Sequence, residues 1–201
     1  MIVIKTLRGT GRSPIRSRPW SLPTQEADGS WTPGEWMVSA SVADGRTVIT
    51  PEAVDACAPM VYGALPGQVA AWAAERAFVA ELDDAVMGND KVGGSRGRLL
   101  RPVERWAPDV LVRWAYWCAD RAIHIHAVAA LRSAGFDAAA DRLDATPPIV
   151  DVVSAAAARA AAAAAGDAAA WAAAGDARDA EMRLASLRLC EMAGVDLVVS
   201  S

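Results

Sequence analysis

Apolar positions in the second half of the chain recur at alternating steps of four and three from Pro108 onward: Leu111, Ala115, Cys118, Ala122, Ile125 and Ala129, flanked by Trp114, Trp117, Val128 and Leu131. That period is helical, and it predicts one long amphipathic helix to about Ala134 with this stripe turned inward. Gly135 fits the left-handed position that ends such helices. A short helix over residues 137–143 follows, Thr146-Pro147-Pro148 breaks the chain, and a helix over 149–165 begins with Ile149, Val152 and Val153 facing inward. Between Ala155 and Ala177, seventeen of twenty-three residues are alanine. Alanine has the highest helix propensity and brings no chemistry, so this stretch predicts helices that approach closely. Gly166-Asp167 and Gly175-Asp176 each offer a helix stop followed by a cap. The second pair is the preferred turn, because residues 176–193 carry Met182, Leu184, Leu187, Leu189 and Met192 and end at Gly194.

The first half has a different rhythm, with short apolar runs between Gly, Pro, Ser and Asp. Residues 1–6 read as a strand. Residues 9–36 hold Pro14, Pro19, Pro23 and Pro33 and predict a long ordered loop pinned by Trp20, Trp31 and Trp36. Thr50-Pro51-Glu52 has the order cap, first-position proline, first-turn acid, and starts a short helix ending near Cys57. A second short helix follows Pro66, with Val69, Trp72 and Ala73 on one stripe. Residues 77–82 and 98–103 read as strands about a Gly88-Asn89-Asp90 turn, and residues 195–199 as an edge strand beside residues 1–6. The fold class expected is therefore α+β, a small mixed or antiparallel sheet region over 1–103 packed on an alanine-rich helical bundle over 104–201.

These pieces resemble an uncharacterised family of actinobacteria and their phages. The likeness rests on Trp31-Thr32-Pro33-Gly34-Glu35-Trp36, on Asp90-Lys91-Val92, on the run Arg96-Gly97-Arg98-Leu99-Leu100-Arg101 and on the alanine-rich tail. A turn of the Cys-Gly-His kind often follows the tryptophan element in that family; here the region reads Pro59-Met60-Val61-Tyr62-Gly63, without the histidine. The helical half also looks like predicted immunity proteins of polymorphic toxin systems, a likeness that implies protein binding without catalysis.

Composition narrows the function classes. Cys57, Cys118 and Cys190 are odd in number and unpaired in spacing, which fits reduced thiols in a cytoplasm. The opening apolar run is too short for a signal-peptide core, and charges inside the alanine block argue against a membrane span. The net charge is -4, yet Lys5, Arg8, Arg12, Arg16 and Arg18 stand in the first twenty-five residues without an acid, leaving the rest at -9. The body should repel nucleic acid while this arm attracts phosphate.

Candidate chemistry is sparse. Arg12, Arg16 and Arg18, with Arg96 and Arg98, form the phosphate-handling alternative, a nucleic-acid binder or a nucleotide-using enzyme. The run 93–98 lacks the lysine and serine that end a phosphate loop and reads as a hairpin loop. His124 and His126 lie two apart on the long helix, so their side chains diverge; Asp120 stands one turn before His124 as a local partner. No catalytic residue, metal or cofactor is expected, and the chain leans away from enzyme activity. The leading expectation is a non-catalytic interaction protein with a protein partner, contacting it through Trp114, Trp117 and Trp171, with self-association through the alanine-rich helices as a further option.

Overall fold

The computed structural model describes residues 1–14, 18–165 and 178–195. Arg16, Trp171, the expected Gly175-Asp176 turn and, apart from Val195, the expected strand at 195–199 lie outside the described residues. The fold is α+β with antiparallel sheets. Two compact units share the chain, Met1–Pro108 with Ser186–Ser201, and Asp109–Ala185. The expected division at 103/104 therefore differs in where the last helix belongs. Its second half returns to the strand unit, where Ser186 Oγ accepts the Ala70 N–H at 3.0 Å and the Cys190 thiol meets the Pro66 carbonyl at 3.6 Å. Among the described residues, no helix is long and apolar enough to cross a membrane.

In the strand unit, β1 (Ile2–Leu7) pairs antiparallel with β6 (Arg76–Asp83), from Ile2 opposite Glu81 to Leu7 opposite Arg76. β6 continues through β7 (Val86–Met87), turns at Asn89-Asp90, and returns as β8 (Val92–Gly94) and β9 (Arg96–Pro102). These four segments form one long hairpin, closed by the Gly88 N–H on the Lys91 carbonyl at 2.8 Å and bulged between Val79 and Ala80. On the far edge of the returning strand lie β4 (Met37–Val38) and β5 (Val61–Gly63). Just past β5, Ile4 and Ala64 exchange two backbone bonds of 2.8 Å. The hydrogen-bonded path thus runs from β1 through the hairpin to β5 and back to β1, a closed ring of strands.

So narrow a ring explains the glycines. A Cβ on Gly63 would stand 2.4 Å from Val3 Cγ2, and one on Gly97 2.5 Å from Leu82 Cδ2 and 3.0 Å from Val61 Cγ1. Glycine in a strand marks such close approach. The run 93–98, expected as a hairpin loop, is therefore strand on both sides of Ser95; its glycines serve packing rather than turning. Val3, Leu7, Val61, Phe78, Leu82, Val92 and Leu99 fill one buried cluster with Trp20. Burying each large apolar side chain stabilises by roughly 1.5–3 kcal/mol. β1 is buried along five of its six residues and bridged to Ala64 at Ile4.

Outside the ring, β2 (Thr24–Gln25) and β3 (Trp31–Thr32) make a small hairpin, and α1 (Ala40–Ala43) is one turn. In α2 (Pro51–Asp55), Thr50 Oγ1 accepts the Ala53 N–H and Pro51 opens the helix, as its sequence order dictates. The helix expected after Pro66 is a single 3₁₀ turn, Val69–Trp72.

In the helical unit, α3 (Pro108–Arg121), a π-helical segment (Ala122–Ala127) and α4 (Val128–Ser133) form the long helix. Gly135 ends it at φ 78°, with the Phe136 N–H returning to the Leu131 carbonyl at 2.9 Å. The inward stripe sits one position earlier than expected. Ala115, Ala122, Ile125 and Ala129 are exposed, whereas Val110, Val128 and Leu131 are buried and Trp114, Trp117, Arg121 and His124 are half-buried. Hydropathy missed this register because the stripe contains an arginine and a histidine whose polar ends are satisfied internally. α5 (Asp137–Asp144) packs Ala139, Ala140 and Leu143 against Val128 and Leu131. In α6 (Val152–Ala165), Asp151 caps the Ser154 N–H at 2.8 Å. Ile149 is buried, but Val152 and Val153, expected inward, are 70% and 74% exposed. The cap turns them outward, and Ala158, 1% exposed, faces the core instead. α7 (Arg178–Met192) ends at Gly194, φ 65°, as the sequence predicts, while Leu184 and Leu187 are exposed.

Candidate functional site

The strand unit carries a cleft against β1 and β5, lined by Ile4, Lys5 and Thr6, by Ser13, Arg18 and Trp20 from the proline-rich arm, and by Cys57, Tyr62, Trp72 and Lys91. Its cavity volume is about 60 Å³. That is room for a carboxylate or carbonyl group and a few waters, with the rest of a ligand reaching into the mouth.

Lys5 is the unusual group. It occupies the middle of the apolar run Ile2-Val3-Ile4-Lys5-Thr6-Leu7, in a strand buried on both faces, and is 7% exposed. Its Nζ has the Ser13 hydroxyl at 3.4 Å and the face of Trp20 at 5.3 Å from the ring centroid. No carboxylate is among the described residues that line the cleft. Burial consequently pushes the Lys5 amine down to about 8.

Lys91 is held in the opposite sense. Its Nζ lies 2.8 Å from Asp90 Oδ1 and 5.2 Å from the centroid of Trp72, and although burial opposes it, the Asp90 bond and charge, with Cys57 beside it, leave its ammonium raised. The chain contains twenty cationic side chains, and Lys5 and Lys91 are its two lysines; every other one is arginine. Both lysines line this cleft. Lysine differs from arginine in that burial can neutralise it.

The supporting shell is tied down. The Thr6 hydroxyl donates to the Trp72 carbonyl, the Tyr62 hydroxyl to the Ala58 carbonyl, and Trp72 Nε1 to the Asp90 carbonyl at 2.7 Å. Cys57 sits at φ 54°, in the left-handed region, and closes α2: its N–H reaches the Val54 carbonyl and the Ala58 N–H the Ala53 carbonyl, both at 3.0 Å. A non-glycine residue is uncommon there.

The residues singled out from the sequence are dispersed. Of the arm, Arg18 lines the cleft, Arg12 is exposed where the chain bridges to Pro19, and Arg16 is outside the described residues. Arg96 pairs with Asp83 at 2.7 Å and Arg98 with Glu81 at 2.8 Å, and both guanidinium groups stack on Trp36, 4.5 and 4.6 Å from its centroid. In the helical unit, Trp114 Nε1 donates to the Ala185 carbonyl at 2.8 Å, and Trp117 lies under Arg121 at 5.1 Å. His124 has Asp120 Oδ1 at 2.9 Å on one nitrogen and the Thr146 carbonyl and hydroxyl on the other at 3.1 and 3.0 Å, which ties the long helix to the Pro-Pro break. Cys118 is half-buried, and burial, with Glu181 nearby, pushes its thiol up. No family model, no curated protein and no solved structure matches the chain.

Sequence reasoning counted Lys5 with the basic arm and passed over Lys91. The signal that finds them is their residue type: two lysines in an arginine-rich chain, one inside an apolar strand and one at the hairpin turn.

Proposed function

We propose that the cleft of the strand unit binds a small organic anion, its acidic group beside Lys5 and its flat apolar part against Trp20, Trp72 and Tyr62. The observation that carries this reading is a nine-tenths buried ammonium lined by no carboxylate among the described residues. A buried charge without a counter-charge is costly, and an entering anion recovers that cost as affinity. Arg18 and Ser13 bring the basic arm to the same cleft, so the phosphate-handling alternative narrows to a small molecule held beside β1. The test is titration calorimetry with benzoate and phenyl phosphate against neutral benzamide. The anions should bind at least about tenfold more tightly, a difference of roughly 1.4 kcal/mol, and Lys5→Met should abolish that preference. Equal binding of all three compounds, or unchanged binding by Lys5→Met, refutes the reading.

A second reading concerns the helical unit, which we propose associates with a second copy of the chain. Val150, Val152 and Val153 stand 69%, 70% and 74% exposed at the head of α6 and support this reading, since adjacent exposed valines favour burial against a partner. Sedimentation should give a dimer that Val152→Ser with Val153→Ser returns to monomer. A wild-type chain that stays monomeric at all concentrations disposes of the idea.

A further inference from the structure

We propose that Lys5 is a carbonyl-capturing amine: it condenses with an aldehyde or ketone group of the anionic ligand in this cleft, forming an imine and releasing one water. The proposal rests on the anion-binding reading and adds a covalent step to it.

The two lysines of the cleft have unlike surroundings, and that difference assigns unlike roles. Lys91 is bound to Asp90 and stays an ammonium, fixed in charge. Lys5 faces a hydroxyl and an indole, neither of which stabilises an ammonium as a carboxylate does, and its neutral form is accessible near pH 8. A lysine desolvated in an apolar pocket is the usual form of an amine that attacks carbonyl carbon. Lys91 and Arg18 line the same cleft, so the acidic group that Lys5 attracts on binding passes to them as the ligand's carbonyl carbon comes up to the Lys5 amine.

The step balances without any further reactant. The Lys5 ammonium gives up a proton, and the freed nitrogen pair attacks the carbonyl carbon. The carbon–oxygen π pair moves to oxygen, which takes a proton. The carbinolamine nitrogen pair then expels that oxygen, protonated once more, as water. An ammonium and a carbonyl have become a protonated imine and a water, with no change of oxidation state. Ser13 Oγ, 3.4 Å from Nζ, is the hydroxyl within reach to pass protons between nitrogen and oxygen.

The experiment incubates the full chain with 4-formylbenzoate and sodium cyanoborohydride at neutral pH and maps the reduced adduct by peptide mass spectrometry, with benzoate affinity measured in parallel. With two lysines and the terminal amine as the reactive sites, assignment is direct. The expected result is saturable labelling at Lys5, at least about tenfold faster than at Lys91, and suppressed by benzoate. Lys5→Arg should lose the adduct while still binding benzoate, because it keeps the charge and removes the reactive amine. If wild-type protein binds benzoate but labels Lys91 or the terminus as fast as Lys5, the imine is refuted and the anion site stands. If benzoate does not bind, the anion site fails and the imine with it. Should Lys5→Arg not fold, Lys91→Arg serves instead, and labelling at Lys5 must persist in it for the proposal to survive.

Discussion

Arg121 and Glu181 meet across sixty residues of sequence, the guanidinium donating to both carboxylate oxygens at 3.0 and 2.5 Å. Both side chains are about three-quarters buried, and His126 Nε2 lies 3.2 Å from Glu181 Oε1. The Arg121 hydrogen bond holds the Glu181 carboxyl below its ordinary 4.5. Its stabilisation is therefore complete above that pH and is lost as the pH falls through the lower folded value. Glu181→Gln should cost about 1–2 kcal/mol at pH 7, between an exposed and a buried pair, and should flatten the acid limb of a Tm-against-pH curve. An unchanged acid limb would show that the pair contributes nothing.

Lys5 predicts a rise of stability with pH as well, at the alkaline end and from a different cause, a buried ammonium that costs stability until it is neutralised. Its folded value of about 8 lies below the ordinary 10.5, so the folded chain binds fewer protons than the unfolded one between those limits and gains stability as the pH rises through them. Relative to Lys5→Met, the wild type should gain up to roughly 3 kcal/mol across that window in urea unfolding. Cys190, pushed up to about 12 by burial, acts in the other sense in both proteins and cancels in the difference. A flat difference would mean that Lys5 is fully compensated in the folded state.

The closed ring predicts a penalty for one methyl group. In Gly63→Ala the new Cβ would meet Val3 Cγ2 at 2.4 Å and the Ile4 carbonyl at 3.3 Å. A loss of about 1–3 kcal/mol follows from overpacking. Adding Val3→Ala should recover part of it, so the double variant is more stable than the sum of the singles predicts. Strict additivity would place the strain elsewhere.

The register of α6 gives a contrast within five residues of sequence. Ile149→Ala empties a buried site and should cost about 2–5 kcal/mol. Measured on the monomeric chain at low concentration, where self-association does not enter, Val152→Ser and Val153→Ser should each fall within about 0.5 kcal/mol of wild type. Chemical denaturation of the three variants decides it; a large loss at Val153 would mean the helix is rotated from its described setting.

Legibility of the sequence followed the range of the forces involved. Caps and stops are local, and Thr50-Pro51-Glu52, Gly135 and Gly194 act where the residues alone place them. The paired strands 77–82 and 98–103 were legible from their apolar runs about a turn. Ring closure was not, because the Ile4–Ala64 bridge and the tight approach at Gly63 depend on partners sixty residues apart. Helix rotation failed for a related reason. Apolar counting gave the stripe to Cys118 and Ile125, whereas Arg121 and His124 turn inward because Glu181, Asp120 and Thr146 receive them. The cleft was hidden in the same way: Lys5 reads as surface charge until strands on both sides enclose it.

The Ile4–Ala64 bridge and the pairing of Leu7 with Arg76 also set an order of events in synthesis. β1 has no partner until the sixty to seventy residues that follow it have left the ribosome, whereas α4 and α5 find each other within a single short loop. Contacts so distant in sequence form slowly. Through that interval Val3, Ile4 and Leu7 stay wet on a nascent chain, which makes Ile2–Leu7 a segment a chaperone would grasp and a point at which overproduction would turn to aggregate.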